Sequence, residues 1–246
     1  MMNGPKVMCI AGKDSTGRAG LDQDRRTVAA LGCVCVSVLT AKTRQGATDE
    51  PSVSFENPQD VLGAIEKGLH TGAIAAVKIG MLGSLEVVEA VHLALKDFRG
   101  PVVLDTVLLA SSGLVLLERK AWPALKVLAN RSSLVTPNLP EFEALGGADW
   151  TLQAPLLLKG GHGVGERLVD RLIGPDGRSF QKSHRRLVLA NPRGTGCALS
   201  SAIACNLALG MSLQKAVSAG IDWQQGSFRA QAVPSGVQTG YRSRIL

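Results

Sequence analysis

The chain has 246 residues, of which 45% are hydrophobic and only 4% aromatic, and it carries a formal net charge of +7. That hydrophobic share is ample for a core, while the low aromatic content points away from β-sandwiches rich in Trp and Tyr. No stretch of about 18 uninterrupted apolar residues is present, which excludes a membrane-spanning helix.

In chain order, KVMCIAGK (6–13) reads as a buried strand, DQDRRTVAALG (22–32) as a helix closed by Gly32, and CVCVSVLTA (33–41) as a second strand. The opening apolar run turns polar at Lys13 and Asp14, so it lacks signal-peptide anatomy, and a cytosolic protein is expected. A helix over 58–72 precedes a strand at AAVKIGM (75–81). SLEVVEAVHLALKDF (84–98) repeats its apolar residues at three- and four-residue steps, with Ser84 and Glu86 as a helix-start signature. Strand PVVLDTVL (101–108), helix ERKAWPALKVLANR (118–131), strand SLVTPN (133–138), a short helix at PEFEALGG and strand LLLKGG (156–161) follow. LVDRLIGPDGRSFQ holds a Pro-Asp-Gly turn between two alternating runs, the mark of a β-hairpin. Two helices, at about 196–209 and 212–231, and a Gly-, Ser- and Arg-rich tail from Ser235 complete the chain. Strands alternating with helices predict an α/β fold with a central, mostly parallel sheet flanked by helices on both faces. With no low-complexity linker or repeat, residues 1–246 read as a single domain.

The five cysteines, Cys9, Cys33, Cys35, Cys197 and Cys205, are odd in number and lack paired C-x-x-C spacing, against both a disulfide framework and a structural zinc site. Cys33 and Cys35 alternate on a strand and read as small buried residues. Positive charge concentrates in QKSHRRLVLANPR, but no aromatic residues interleave with it, which weakens a nucleic-acid reading. This basic run leads straight into NPRGTGCALS (191–200), where Gly194 and Gly196 precede an apolar helix. A helix start leaves backbone N–H groups unpaired, and bare glycines let an anion approach them, so a phosphate-bearing small ligand fits. A solvated basic strand is a nearly equal account of the charge alone. In parallel sheets ligands bind beyond the carboxyl ends of the strands, where Asp14, Gln45, Lys78, Met81, Asp105, Asn138, Glu141 and Lys159 fall.

The stretches AGKDSTGRAGLDQD, SVLTAKTRQG, VKIGMLGS, VVLDTVLLASSG, LVTPNLPEFEAL, LLLKGGH and NPRGTGCALSSAIA, taken in order, resemble the hydroxymethylpyrimidine and phosphomethylpyrimidine kinases of thiamine biosynthesis, in the ribokinase-like superfamily. The resemblance runs from Val7 to about Leu209. It implies ATP- and Mg2+-dependent phosphorylation of an aminopyrimidine alcohol and of its monophosphate, a cytoplasmic homodimer, and no nucleic-acid or membrane partner. It implies that Gly194, Thr195 and Gly196 cradle the transferred phosphate. Cys197 would stand beside the substrate hydroxyl, where sugar-kinase relatives carry an aspartate. A thiol at a helix start is expected to have a lowered pKa, so Cys197 could accept the hydroxyl proton or orient the oxygen. The same resemblance sets Gln45, Asp14, Gly12 and Met81 around the pyrimidine, Lys159 and Asn138 at ATP, and Asp105 and Glu141 at magnesium. Each has a plainer account: turn aspartate for Asp14, core packing for Met81, helix start for Glu141, surface for Gln45 and Lys159.

The chain departs from the family pattern at Lys13, Arg18 and Thr106, and at Pro192-Arg193, where Thr-His commonly precedes the glycine loop. The segment between Leu145 and Leu156 is short by about a helix, near the limit for a parallel crossover. Two alternatives follow: a pyridoxal-type kinase, and a catalytically weak pyrimidine-binding regulatory protein.

Overall fold

The computed structural model describes residues 4–44, 52–110, 113–162, 165–189 and 193–229. The chain opens with strand β1 (Lys6–Asp14), helix α1 (Gly20–Ala30) and strand β2 (Val34–Arg44). It adds β3 (Ser52–Phe55), α2 (Pro58–Thr71), β4 (Ile74–Ile79), α3 (Leu85–Ala94), β5 (Val102–Leu104) and α4 (Trp122–Asn130). Then come β6 (Leu134–Val135), α5 (Leu139–Ala144), β7 (Leu156–Leu158), β8 (Arg167–Ile173), β9 (Ser179–Arg185), α6 (Thr195–Ala208) and α7 (Leu213–Arg229).

Among the described residues these strands form one sheet, ordered β3-β2-β1-β4-β5-β6-β7-β8-β9. Neighbours from β2 to β7 run parallel, whereas β3, β8 and β9 pair antiparallel at the two edges. The expected mostly parallel sheet with helices on both faces is therefore present. One face buries Val61 and Ile65 of α2, Val87, Val88 and Val91 of α3, and Leu125 and Leu128 of α4 against Met8, Ile10, Val77 and Ile79. The other buries Leu21 and Val28 of α1, Leu199 and Ile203 of α6, and Val217 and Ile221 of α7 against Val7, Cys9 and Val103. The predicted hairpin forms, with Leu172 opposite Phe180 across β8 and β9.

Several elements are shorter than the sequence predicts. The strand expected over 101–108 ends at Leu104, and that over 133–138 holds only Leu134–Val135. Beyond those points the backbone leaves the sheet to line the cleft described below. The helix expected over 84–98 stops at Ala94, where the Leu95 N–H donates to the Val91 carbonyl and the Lys96 N–H to the Leu93 carbonyl. Its start is as read: the Ser84 side chain accepts from the Val87 N–H at 3.3 Å. Strand β3 was not read from the sequence at all. The trimmed crossover still delivers a parallel strand, pairing Val135 with Leu156. It does so with a six-residue α5, and the buried Trp150 packs near Phe142 of that helix in the same core.

The strand order reverses between β1 and β4, the position where α/β sheets open a ligand crevice. At that point Lys78 of β4 places Nζ 2.8 and 2.9 Å from the two carboxylate oxygens of Asp24 on α1, and both side chains are fully buried. Ser201 of α6 donates to the same Asp24 carboxylate at 2.9 Å. Burial acts to lower the Lys78 pKa, but the facing Asp24 charge outweighs it and holds the ammonium above its ordinary value. Sheet, α1 and α6 thus share one charge-assisted cluster. Lys78→Met is expected to lower the unfolding free energy by about 3–5 kcal/mol, because it strands a buried carboxylate. Urea denaturation reads this as a lower midpoint at unchanged slope; a loss below about 1 kcal/mol would show that the pair does not tie the layers together.

Candidate active site

The carboxyl ends of β1, β4, β5 and β7 open into one cleft of about 730 Å³. Gly12, Asp14, Met81, Asp105, Asn138, Glu141, Lys159, Gly194, Thr195, Gly196 and Cys197 all line it. Gln45 and Pro192 lie outside the described residues. Eleven of the twelve site residues expected from sequence therefore meet in one place.

The glycine loop is set by backbone packed on backbone. Gly194 caps the start of α6 with φ 80°. A Cβ there would sit 2.1 Å from the Arg18 carbonyl oxygen. Gly20, with φ 58°, is confined in the same way, its added Cβ falling 2.1 Å from the Gly12 carbonyl oxygen. Only glycine combines a left-handed φ with such approach. The start of the 14-residue α6, with the positive end of its dipole, makes an anion-binding surface. A Cβ added to Gly196 would lie 3.6 Å from both Asp105 Oδ2 and Lys159 Nζ, so that pair faces the loop across the cleft.

Asp105, just past β5, accepts from Lys159 Nζ at 2.9 Å, from Thr136 Oγ1 at 3.1 Å and from Ser200 Oγ at 3.3 Å. Burial pushes its carboxyl up, but the Lys159 and Lys78 charges and the bonds from Lys159 and Thr136 bring it below the usual carboxylate range. Lys159 is likewise opposed by burial and held above its ordinary value by Asp105 and Glu141. Asn138 and Glu141 form a reciprocal capping box on α5: the Glu141 N–H donates to Asn138 Oδ1 at 2.8 Å and the Asn138 N–H to Glu141 Oε2 at 2.9 Å. The helix-start account of Glu141 is therefore true, and it coexists with a place in the cleft. Burial first, and the Asp105 charge as well, push the Glu141 carboxyl up to about 7 against the pull of Lys159.

Cys197 requires a correction. The helix start was expected to lower its pKa, yet burial pushes the thiol up to about 11, with Lys78 opposing and Asp24 and Asp105 reinforcing. Loss of water first, and the Asp24 and Asp105 charges with it, keep Cys197 a neutral thiol near pH 7. At the other end of the cleft Asp14 accepts from the Thr16 N–H and hydroxyl, which satisfies the turn-aspartate account while leaving it in the lining. Met81 joins Ala41 and Leu116 in an apolar wall with Val107 and Ala110, so core packing and cleft lining are both met. Among the departures, Arg193 lines the cleft, Thr106 donates to Glu141 Oε2 at 3.3 Å, and Lys13 and Arg18 are exposed.

Three residues escaped the sequence reading. Asp24 sits on the buried stripe of α1 beside Leu21, Thr27 and Val28, and an acid at that helical spacing was a usable signal. Asp170 occupies a buried position in the alternation of β8 and accepts from the Gly160 N–H at 2.7 Å and from His184 at 3.1 Å. Gln224 of α7 donates to the Thr195 carbonyl at 2.7 Å, and nothing in its local sequence announces this.

A sheet whose switch point brings a glycine-led helix start beside a buried carboxylate–lysine pair defines an α/β protein with a crevice suited to a phosphate-bearing ligand. Residues 14–241 match the family model described as phosphomethylpyrimidine kinase. The hydroxymethylpyrimidine/phosphomethylpyrimidine kinase of Haemophilus influenzae is 36% identical over 91% of this chain and 90% of its own. The thiamine biosynthesis multifunctional protein ThiED of Corynebacterium glutamicum is 34% identical over 92% of this chain, which spans only 32% of that longer protein. A crystal structure of phosphomethylpyrimidine kinase from Clostridium difficile superimposes with a TM-score of 0.77 at 32% identity, covering 91% of this chain and 99% of the other. The chain belongs to the phosphomethylpyrimidine kinase family.

Two titrations follow from this geometry. The half-buried Cys35 thiol is lowered to about 7, first by its hydrogen bond with Cys9, with burial opposing and Ser37 assisting. Peptide mapping of iodoacetamide uptake near neutral pH should find Cys35 labelled well before Cys197; the reverse order would mean that Cys197 carries a thiolate. His184 is raised above its ordinary value by its hydrogen bond to Asp170, burial opposing. Its contribution to stability is present in full below about pH 6.5 and disappears as pH climbs through the folded-state pKa. An NMR titration should place the His184 midpoint above 6.5 and Asp170→Asn should bring it down; an unmoved midpoint contradicts the pairing.

Proposed function

We propose that this protein transfers the γ-phosphoryl group of ATP to 4-amino-5-hydroxymethyl-2-methylpyrimidine, and then to its monophosphate, acting as a single catalytic unit. The observation that carries the reading is the glycine loop at the start of α6 facing Asp105 and Lys159 within one cleft that ends on the Met81 wall. That cleft has a place for each reactant: apolar contact for a heteroaromatic ring, a helix start and a lysine for phosphates.

In the first transfer the hydroxymethyl oxygen attacks the γ-phosphorus, the new O–P bond forms, the bond to the departing ADP oxygen breaks, and the hydroxyl proton passes to an oxygen of the transferred phosphoryl group. In the second transfer a phosphate oxygen of the monophosphate is the attacking atom. Phosphoryl transfer of this kind passes through a loose transition state that asks mainly for positioning and charge stabilisation. The loop amides from Gly194 to Cys197 receive the equatorial oxygens. Lys159 Nζ gives one hydrogen to Asp105 and keeps two for phosphate oxygens. Cys197, neutral near pH 7, orients the hydroxyl rather than taking its proton as a thiolate. Asp14 and Met81 border the ring, and Gln45 is assigned to the ring nitrogen and exocyclic amine.

Among the described residues no cluster of three or more His, Cys, Asp or Glu could hold a metal unaided. Asp105 and Glu141 fit a different case: hard oxygen donors beside a phosphate site, suited to magnesium that keeps waters and phosphate oxygens as its remaining ligands. When bound there, the ion offsets charge on the phosphates; Asn138 keeps Glu141 in place through the capping box.

Mass analysis of an incubation with ATP, magnesium and hydroxymethylpyrimidine should show the mono- and diphosphate, and pyridoxal in competition should be used less. Preferential phosphorylation of pyridoxal, or binding without turnover, would sink the reading. Cys197→Ser should keep kcat within about tenfold, while Cys197→Ala should lose about 10–100-fold. Equal losses in both would return the thiolate base to the mechanism.

A further inference from the structure

Helix α7 reaches the glycine loop through one side chain. Gln224 Nε2 donates to the Thr195 carbonyl at 2.7 Å, joining the last described helix to the first residue of α6. Gln224, Thr195 and Gly196 all line the cleft. A peptide group is planar, with its carbonyl and the following N–H on opposite edges, so holding the Thr195 carbonyl also orients the Gly196 N–H. Gly196 is the loop residue whose Cα looks toward Asp105 and Lys159.

The Gln224 bond adds to the backbone packing that confines Gly194 against the Arg18 carbonyl. The loop's cap is Gly194, which has no side chain to fix the first turn, and glycine has more backbone freedom to lose than other residues. The helix that supplies the restraint is independently anchored. Ala216, Val217 and Ile221 are buried against α6, Phe228 packs with Leu189 and Ala198, and Lys182 of β9 bonds to Ser218 and Asp222. An amide on this support holds its partner carbonyl without drifting.

Building on the kinase reading above, we infer that Gln224 is a positioning residue for phosphoryl transfer. It holds the Thr195–Gly196 peptide so that the Gly196 N–H points at the transferred phosphoryl group. Gln224 touches neither reactant in this role; it acts through the loop.

Gln224→Met keeps the length of the side chain and removes the donor. Its kcat should fall about tenfold, less than the loss of a whole oxyanion donor because the amide is loosened and not deleted. The KM for the alcohol should stay within about twofold and the urea midpoint should be unchanged. Gln224→Glu supplies a readout that a packing role would not move. Its carboxylate cannot donate near neutral pH, but a protonated carboxyl can, so its kcat relative to the parent should recover as pH falls below about 5. Parental kcat in the Met variant, or a pH-independent ratio for the Glu variant, overturns the inference; the Glu ratio decides alone if the Met variant is unstable. If the parent phosphorylates no hydroxymethylpyrimidine, the kinase reading fails separately. Calorimetry with ATP then decides: binding about tenfold weaker in the Met variant supports the inference, and equal binding overturns it.

Discussion

A buried ammonium and carboxylate at the strand reversal govern how one helical layer, that of α1 and α6, meets the sheet. Lys78 and Asp24 stand where no water reaches, so each needs the other, and the Ser201 hydroxyl adds a third element to the same cluster. An ion pair so placed is a poor source of net stability compared with apolar residues of similar shape. What it supplies is registration. The carboxylate admits its partners in few arrangements, so α1, β4 and α6 are fixed relative to one another beside the start of α6. The Lys78 and Asp24 charges are also among those that set the Cys197 thiol, so the structural pair and the chemistry of the cleft share one field.

On that base the loop is built by close approach of main chains. Gly194 lies against the Arg18 carbonyl and Gly20 against that of Gly12, which draws the segment after β1 and the start of α6 together. Glycine here is a matter of thickness as much as of torsion. With side chains removed from both contacts, the α6 amides remain open toward the cleft while the polypeptide behind them is tightly packed. Asp105 and Lys159, just past the ends of β5 and β7, pair beside the start of α6, where Ser200 also donates to Asp105.

The sheet, its helices and the cleft were legible because buried parallel strands and glycine-closed helices leave strong period and punctuation, as in 6–13, 84–98 and 101–108. The cleft residues were legible as polar punctuation at strand ends and through family motifs. Strand β3 was missed because only Val53 of its four residues is even half-buried, which leaves no alternation to detect. The short β5 and β6 were overextended because the chain beyond them stays apolar while it turns from sheet to cleft wall. The Cys197 error has a different origin. A helix start can be read from sequence, but burial of the thiol, and the Asp24 and Asp105 carboxylates that arrive from distant segments, act only after folding. Gln224 was invisible for the same reason: a glutamine on an amphipathic helix looks like solvent-facing surface until its partner is known.

The capping box on α5 gives Glu141 two employers. Its Oε2 secures the first turn of a helix of only six residues, and the same side chain borders the cleft. A ligand that draws on this carboxylate therefore also tugs at the short crossover between β6 and β7, which has no longer helix to absorb the strain. One carboxylate thus serves the cap of the short crossover and the wall of the cleft together.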